Sequence, residues 1–386
     1  MKTNNYDIII IGAGFAGCAL AYQFSKENVE TLLIESGGIC SGTSSACAGR
    51  AQIIESETDE YLKIVLAGFS KLPDLGKELE IDLEWETPGH LTLLFSDQEL
   101  FKFKQITSKL NSYGINAEII GSDLLQKLEP FLHANNSKGA AYSIEGHLNP
   151  FKFCLGYLNA ARKNGVDIKL HSKVTNFQIN NQKVIGVFAN GELFSSQIVI
   201  LATGAWTGSL SRILNCELPL SFTKAEAMVS QPLPKILSHH IGISGFYEAV
   251  HGQDKRVTLG IGQHRNGCLV ISNAIQPASI IDRSSSAWGM PSISNQLQKF
   301  FPVLNPINIL RTWSAPSPFS KDSLPIIGWM PHYDNLYIAT AFHLAIPTIP
   351  IFTEEIMHHI LESPEKKHSE FLKPFFPNRF YAHNER

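Results

Sequence analysis

The sequence predicts an α/β fold: a doubly wound sheet, with a strand-rich portion set between its halves. Three observations predict it. Residues 6–35 read strand, glycine turn, helix, strand, which is how a doubly wound sheet opens. An uncharged, β-branched run at 197–202 supplies a further buried strand, and 336–340 supplies another near the end. Between those two, strand signals dominate residues 218–313.

Taken in order, 6–11 is a strand with no charge on either face after Asp7, and 12–17 is a turn. A helix is predicted over 15–26 and a strand over 31–35. Residues 36–51 are too rich in Gly and Ser for regular structure. Helical spacing over 59–80 should break near Pro73. A strand at 90–95 precedes a helix at 98–113, whose Leu100, Phe103, Ile106 and Leu110 recur every three or four residues. A helix at 151–164 stops at Gly165. Short strands follow at 166–170, 174–179 and 184–188. A helix at 293–300 interrupts the strand-rich portion. After 336–340 come a loop and a helix at 353–361, then a basic and aromatic tail at 366–386.

Composition narrows the function classes. The chain has 386 residues, 44% of them apolar, enough for a full core and too many for disorder. Charged residues are 17%, below the roughly 25% of ordinary domains, so a large interior or a buried ligand is expected. A net charge of −3 gives no global attraction to nucleic acid or anionic membrane. Cys18, Cys40, Cys47, Cys154, Cys216 and Cys268 show neither CxxC nor zinc spacing, so they read as reduced thiols. His90, His239, His240, His251 and His264 are scattered, and no metal site is assigned. His358 and His359 read as solvated. The apolar start at 8–24 has the glycine spacing of a turn, not a signal peptide, and no run suits a spanning helix. The expectation is a soluble, cytoplasmic protein.

Gly12-Ala13-Gly14-Phe15-Ala16-Gly17 is a GxGxxG between strand and helix, and Glu35 closes the next strand about 20 residues on. In that setting Gly12 permits the turn, Gly14 admits a pyrophosphate to the backbone, and Gly17 lets helix and strand approach. The helix start favours phosphate charge, and Glu35 can accept both hydroxyls of an adenosine ribose. The alternative is a glycine turn in an unliganded sheet. A second signal selects between dinucleotides. Val199-Ile200-Leu201-Ala202-Thr203-Gly204-Ala205-Trp206 has the apolar strand and Ala-Thr-Gly ending that recur in FAD-binding flavoproteins. A third is Asp322-Ser323-Leu324-Pro325-Ile326-Ile327-Gly328 ahead of the last strand.

With these segments in this order, together with Leu128-Glu129-Pro130, Glu145 to Pro150 and Arg311-x-Trp313, almost the whole chain resembles the D-amino-acid oxidase family of FAD-dependent oxidoreductases. The loop from Gly42 to Gly49 is most similar to flavin subunits of heteromeric dehydrogenases. The resemblance implies a discontinuous, Rossmann-like FAD domain (1–85, 143–215, 318–386) and an inserted antiparallel-sheet substrate domain (86–142, 216–317). It implies that Ser36, Gly42, Thr43, Ser44, Ala48, Gly49 and Arg50 line the cofactor, and that Val174 meets adenine. Thr203, Gly204 and Trp206 would lie beneath the dinucleotide. Gly328 and the loop carrying His343, Leu344, Ala345, Ile346, Pro347 and Thr348 would close over the ring. The implied reaction passes hydride from a C–H beside an amine nitrogen to the flavin, giving an imine, with no strong protein acid or base. A partner subunit or a second copy of the chain is also implied.

Three departures stand out. Ser317 occupies the place where glycine oxidases carry a carboxylate-binding Arg, the loop 343–348 has no glycine, and Ser272 replaces a common glycine. They point to an altered substrate, or to a flavin-binding subunit with little or no activity of its own. Candidate chemistry then rests on Arg50 as a cation near the ring, on His343 as a substrate contact or proton relay, and on Arg311 as a substitute carboxylate clamp. Each has a structural alternative: a surface arginine, a packed histidine and an ion-paired strand residue.

Overall fold

The structure is a computed structural model that describes residues 4–54, 56, 58–245, 252, 254–279, 281–362 and 369–381. Strand β1 (Asn5–Ile11) runs parallel to β2 (Thr31–Ile34) on one side and to the strand Glu192–Leu201 on the other. Its isoleucines feed two cores: Ile8 and Ile10 pack on one face of the sheet, Ile9 and Ile11 on the other. That is why no residue from Ile8 to Ile11 can be polar. Asp167–Lys169 extends the sheet parallel beyond β2. Leu336–Thr340 joins parallel to Glu192–Leu201, and Ile326–Trp329 closes that edge antiparallel. Val174–Asn180 and Lys183–Ala189 complete eight strands as an antiparallel arm.

Helix α1 (Phe15–Lys26) follows β1 through the turn at Gly12, whose φ of 106° is closed to side chains. A Cβ on Gly17 would stand 1.7 Å from the Gly12 carbonyl oxygen, so helix and turn touch backbone to backbone. The same turn abuts the Ala-Thr-Gly segment, since Ala202 N–H donates to Ile11 O at 2.9 Å. The two motifs that are 190 residues apart in the chain therefore form one surface.

The second sheet also has eight strands. Its order is Ile309–Ser320, Leu220–Pro232, Cys268–Ala278, Arg256–Gln263, His240–Ile243, His90–Leu93, Ala140–Ser143 and Ala117–Ile120. All neighbours are antiparallel except His240–Ile243 with His90–Leu93. Helix Gly289–Phe300 covers one face, burying Ile293, Leu297 and Phe300 with Met228, Ile261 and Ile271. A two-stranded ribbon, Arg50–Ala51 with Gly146–His147, lies outside both sheets.

The structure departs from the sequence expectations at several elements. Helix Asp59–Glu78 runs unbroken through Pro73. Thr58 caps it, accepting from Tyr61 N–H, and its buried Tyr61, Leu62, Ile64, Val65, Leu72 and Leu75 offset the missing proline donor. The last helix spans Ala345–Leu361, eight residues earlier than its polar end announces. Pro347 falls in the first turn, where no amide partner is lost, although Pro350 lies further in. His359 is buried, not solvated: Tyr337 Oη lies 2.8 Å from its Nδ1, and its ring stacks on Phe376. In the tail, Phe375 packs on Phe352 at 5.0 Å between centroids and Arg379 binds Asp322 at 2.7 Å. Residues 366–368 and 382–386 of that tail, and His251, lie outside the described residues. Among the described residues no helix is long and apolar enough to cross a membrane.

Gly17→Val should cost about 3 kcal/mol of stability, as overpacking against rigid backbone does. Urea denaturation measures it; a midpoint equal to wild type contradicts the backbone contact.

Candidate active site

A cavity of about 980 Å³ opens at the C-terminal ends of the parallel strands, where Ile11, Ala202 and Thr340 reach its floor. This is where open parallel sheets bind ligands, and the volume is at the upper end of small-molecule sites, roughly 300–1,000 Å³. Gly12, Gly14, Phe15 and Ala16 form one wall. Gly42, Thr43 and Ser44 face them from the glycine-rich loop, which makes a short 3-10 turn at Thr43–Ala46. Thr203, Gly204 and Trp206 lie beside the floor, and Ala345 and Phe342 close the far side. Ala225, Ala315, Ser317 and Pro318 of the second sheet roof the cavity.

The start of α1 suits an anion. Its N-cap residue, Gly14, offers no side chain to cap it and no acid stands in its first turn. Phe15 N–H donates to Ser44 Oγ at 3.1 Å, drawing the loop against the helix. At the other end Glu35, Ser36 and Val174 line the wall. The Glu35 carboxylate accepts from Ala13 N–H at 2.8 Å and Gly37 N–H at 2.7 Å. Those bonds hold it fixed where a ribose would meet it. A Cβ on Gly14 would sit 3.0 Å from Ser44 Oγ and fill the gap between helix and loop. A helix start open to phosphate, a fixed acid and a bare cradle fit an adenine dinucleotide.

Several sequence candidates stand elsewhere. Gly17 packs inside α1 against Gly12. Ala48 and Gly49 do not line the cavity, because the chain turns away after Cys47 to pair with Gly146–His147. Arg50 goes with them: its guanidinium lies 3.0 Å from Glu145 Oε2 and 2.8 Å from His90 Nδ1. Gly328 faces Phe376 and Pro377, not the cavity. The His343 ring packs on Phe319 at 4.6 Å, and its carbonyl accepts from Tyr61 Oη at 2.7 Å. Leu344 is the left-handed residue before the last helix, and Ile346, Pro347 and Thr348 turn into the core. The helix start replaces the expected loop, so Ala345 alone of residues 343–348 lines the cavity. Arg311 is exposed on the edge strand, off the cavity.

Residues missed by sequence reasoning complete the lining. Ser172, Lys173 and Thr175 flank Val174, Ile349 extends the last helix, and Arg283 comes from a loop with no periodic signal. Cys47 lines the cavity as a neutral thiol, pushed up to about 11 by burial.

Such a molecule is a dinucleotide-binding protein of the kind that roofs a parallel sheet with an antiparallel one. Residues 7–353 match the family described as "FAD dependent oxidoreductase", and the chain belongs to that family. FAD is its cofactor. The chain is 24% identical over 345 residues to a glycine oxidase of Bacillus subtilis (strain 168), with 87% of each chain covered. It is 26% identical over 355 residues to sarcosine oxidase subunit beta of Rhizobium meliloti (strain 1021), covering 86% of this chain and 79% of that one. The structure of glycine oxidase from Geobacillus kaustophilus superposes with a TM-score of 0.85 at 21% identity, over 98% and 99% of the two chains.

Away from the cavity, a buried imidazole cluster joins the ribbon to the second sheet. His240 Nε2 and His147 Nδ1 are 2.8 Å apart, and the His147 and His264 rings lie 4.3 Å apart. Glu145 accepts Ile53 and Ile54 N–H besides holding Arg50. Burial first, then the Arg50 charge, pushes His147 down to about 4; burial and then His147 do the same to His264. Burial also holds His90 and His240 well below the usual range. Among the described residues no group of three such side chains is arranged to hold a metal.

Two outcomes follow. Gly14→Val should leave the purified protein without flavin, read from visible absorbance; a full complement of FAD contradicts the cradle. Because His147 and His264 titrate near 4 folded and 6.5 free, the unfolded chain takes up more protons between those values. Stability should be fully present well above pH 6.5 and fall by on the order of 6 kcal/mol, about 3 for each histidine, as pH drops to 4. A urea midpoint flat across that interval contradicts the neutral cluster.

Proposed function

We propose that the chain oxidises the C–N bond of an amine or amino-acid-derived substrate to an imine, which water then hydrolyses. The observation that carries this reading is the roof of the cavity. The second sheet presents Ala225, Ala315, Ser317 and Pro318 there, with no carboxylate, imidazole or thiol among them. Such a surface shapes and dries a site but moves no proton, which suits a reaction that needs positioning rather than acid–base groups. Similarity to a glycine oxidase and to a sarcosine oxidase subunit supports an amine donor.

FAD, when bound, supplies the hydride acceptor. The residues proposed to hold it are Gly12, Gly14, Phe15 and Ala16 at the phosphates, Glu35, Ser36 and Val174 at the adenosine, and Gly42 to Ser44 along the loop. Thr203, Gly204 and Trp206 support it from below. Ala345 opens a helix with no acid in its first turn, so its dipole favours negative charge at that end of the cavity. Phe342 and Trp206 exclude water from the walls. In this reading residues 1–85, 143–215 and 318–386 serve the cofactor, while 86–142 and 216–317 serve the substrate.

A second reading is a flavin-bearing subunit of a larger complex. It draws on the likeness to sarcosine oxidase subunit beta and on a small, uncharged hydroxyl at Ser317 in the roof.

Anaerobic mixing of the holoprotein with glycine, sarcosine, D-amino acids, proline derivatives and opines tests the first reading. At least one should bleach the flavin without any partner protein. A flavin that none of them reduces contradicts it and favours the subunit.

A further inference from the structure

Half of the cavity roof is carried by an edge strand. Among the described residues, Ile309–Ser320 pairs with Leu220–Pro232 on one side and with no strand on the other. Its register sets Ala315 opposite Ala225 and Ser317 opposite Thr223. Side chains alternate along a strand, so Trp313 shares the cavity face with Ala315 and Ser317. At Ser320 the strand is tied to the chain that leads into the first sheet, because Ser320 Oγ donates to Leu324 O at 2.6 Å. At the opposite end Ile309, Leu310, Arg311 and Thr312 are exposed. The outer edge between these ends needs a support of its own.

The glycine-rich loop supplies it. Thr43 Oγ1 donates to Pro316 O at 2.7 Å, and Trp313 Nε1–H donates to Ala46 O at 3.0 Å. The first bond suits a proline. Pro316 has no amide hydrogen, so the open edge offers an acceptor there and no donor. A lone hydroxyl answers it, where a further strand would find half of its partners missing. The same turn is bonded to the floor: Ser44 Oγ accepts from Phe15 N–H at 3.1 Å, at the start of α1. Within the turn, Ser45 N–H and the Ser45 hydroxyl both donate to Gly42 O, at 3.2 and 2.8 Å, and Cys47 N–H donates to Ser44 O at 3.4 Å. Thr43–Ala46 is therefore a short, internally bonded block with the phosphate cradle on one side and the roof on the other. Thr43 and Ala46 face the roof, and Ser44 faces the helix. The bonds to the roof join residues 273 and 267 positions apart in the chain.

We propose that the turn Thr43–Ala46 is the spacer that sets the height of the roof above the cofactor, and that Trp313, through its bond to that turn, is a positioning residue for the reaction. The inference rests on the amine-oxidising reading and adds what fixes the gap between the donor carbon and the ring. Hydride passes when the reacting atoms lie about 3–3.5 Å apart, and a misplacement of about 1 Å costs about a hundredfold in rate. Ala225, Ala315 and Ser317 are too short to reach down and correct a substrate lying at the wrong height. The spacing has to come from the backbone that carries them. The roof must also exclude water, and a strand lifted off the turn would admit it along the open edge.

Acrylamide quenching of the flavin fluorescence of the holoprotein reads the gap without any amine. Trp313→Phe keeps an aromatic ring and removes the donor; Thr43→Val keeps the shape and removes the hydroxyl. Each should raise the quenching constant above wild type, and the double variant should raise it most. Thr43→Ser, which keeps a hydroxyl, should match wild type. Trp313→Phe should retain its FAD, since the indole stands off the phosphate cradle. With an amine that bleaches the flavin, the saturated rate of anaerobic reduction should fall about a hundredfold in Trp313→Phe. If one variant fails to fold, the other carries the test. Equal quenching in wild type and the folded variants overturns the inference, and so does an undiminished saturated rate in Trp313→Phe. If amines bleach all the proteins at one rate with equal quenching, the inference fails while the proposed function stands. If the variants open the flavin to acrylamide but no amine bleaches wild type, the proposed function fails while the spacer stands.

Discussion

The contact between Gly17 and the Gly12 carbonyl is the constraint on which the rest of the molecule depends. It brings the first turn of α1 hard against the end of β1, leaving a helix whose N-cap glycine has no capping side chain and whose first turn holds no acid beside an open floor. Such a start favours negative charge. From it the other cofactor features follow in space. Ala202 is pinned to Ile11, Ser44 is drawn onto Phe15, and the Glu35 carboxylate is fixed by two backbone amides. A bulkier residue at the contact would move all of them together.

The two sheets divide the chemistry. The parallel sheet supplies backbone amides and one acid, which bind but do not react. The antiparallel sheet sets Lys224 and Glu226 on the face away from the cavity, where they hold a loop, and shows the cavity alanine, serine and proline. Among the described residues that line the cavity, Arg283 is the charged one carried by a loop of the second sheet. The imidazole cluster around Arg50 and Glu145 has a different part. It seals the junction between the ribbon and the second sheet with groups that stay neutral at physiological pH, which makes the junction sensitive to acid.

Sequence and structure agree where the signal is local. The run from β1 to β2 was legible because each step has its own marker: β-branched residues, a glycine turn, a helical period and a terminal acid. The Ala-Thr-Gly strand was legible because it is uncharged throughout. Arg50 and His343 stand off the cavity, although Cys47 and Phe342, close by in sequence, line it. Past Cys47 the chain turns out into the ribbon that begins at Arg50, and a helix starts at Ala345 where the resemblance implied a loop. Pro73 fails to break its helix because buried side chains outweigh one lost hydrogen bond. Arg283 was invisible for a different reason. Nothing local marks it, and its place is set by Lys224 and Ser314, contacts that span tens of residues and that no periodicity encodes.

Titration of apoprotein with ADP, followed by calorimetry, tests the central claim most directly, because ADP carries the phosphates and ribose without the reactive ring. The account predicts one site per chain, competition with FAD, and much weaker binding of the 2′-phosphorylated analogue, which would bring a dianion against Glu35. Absence of ADP binding, or equal affinity for the two nucleotides, would contradict it.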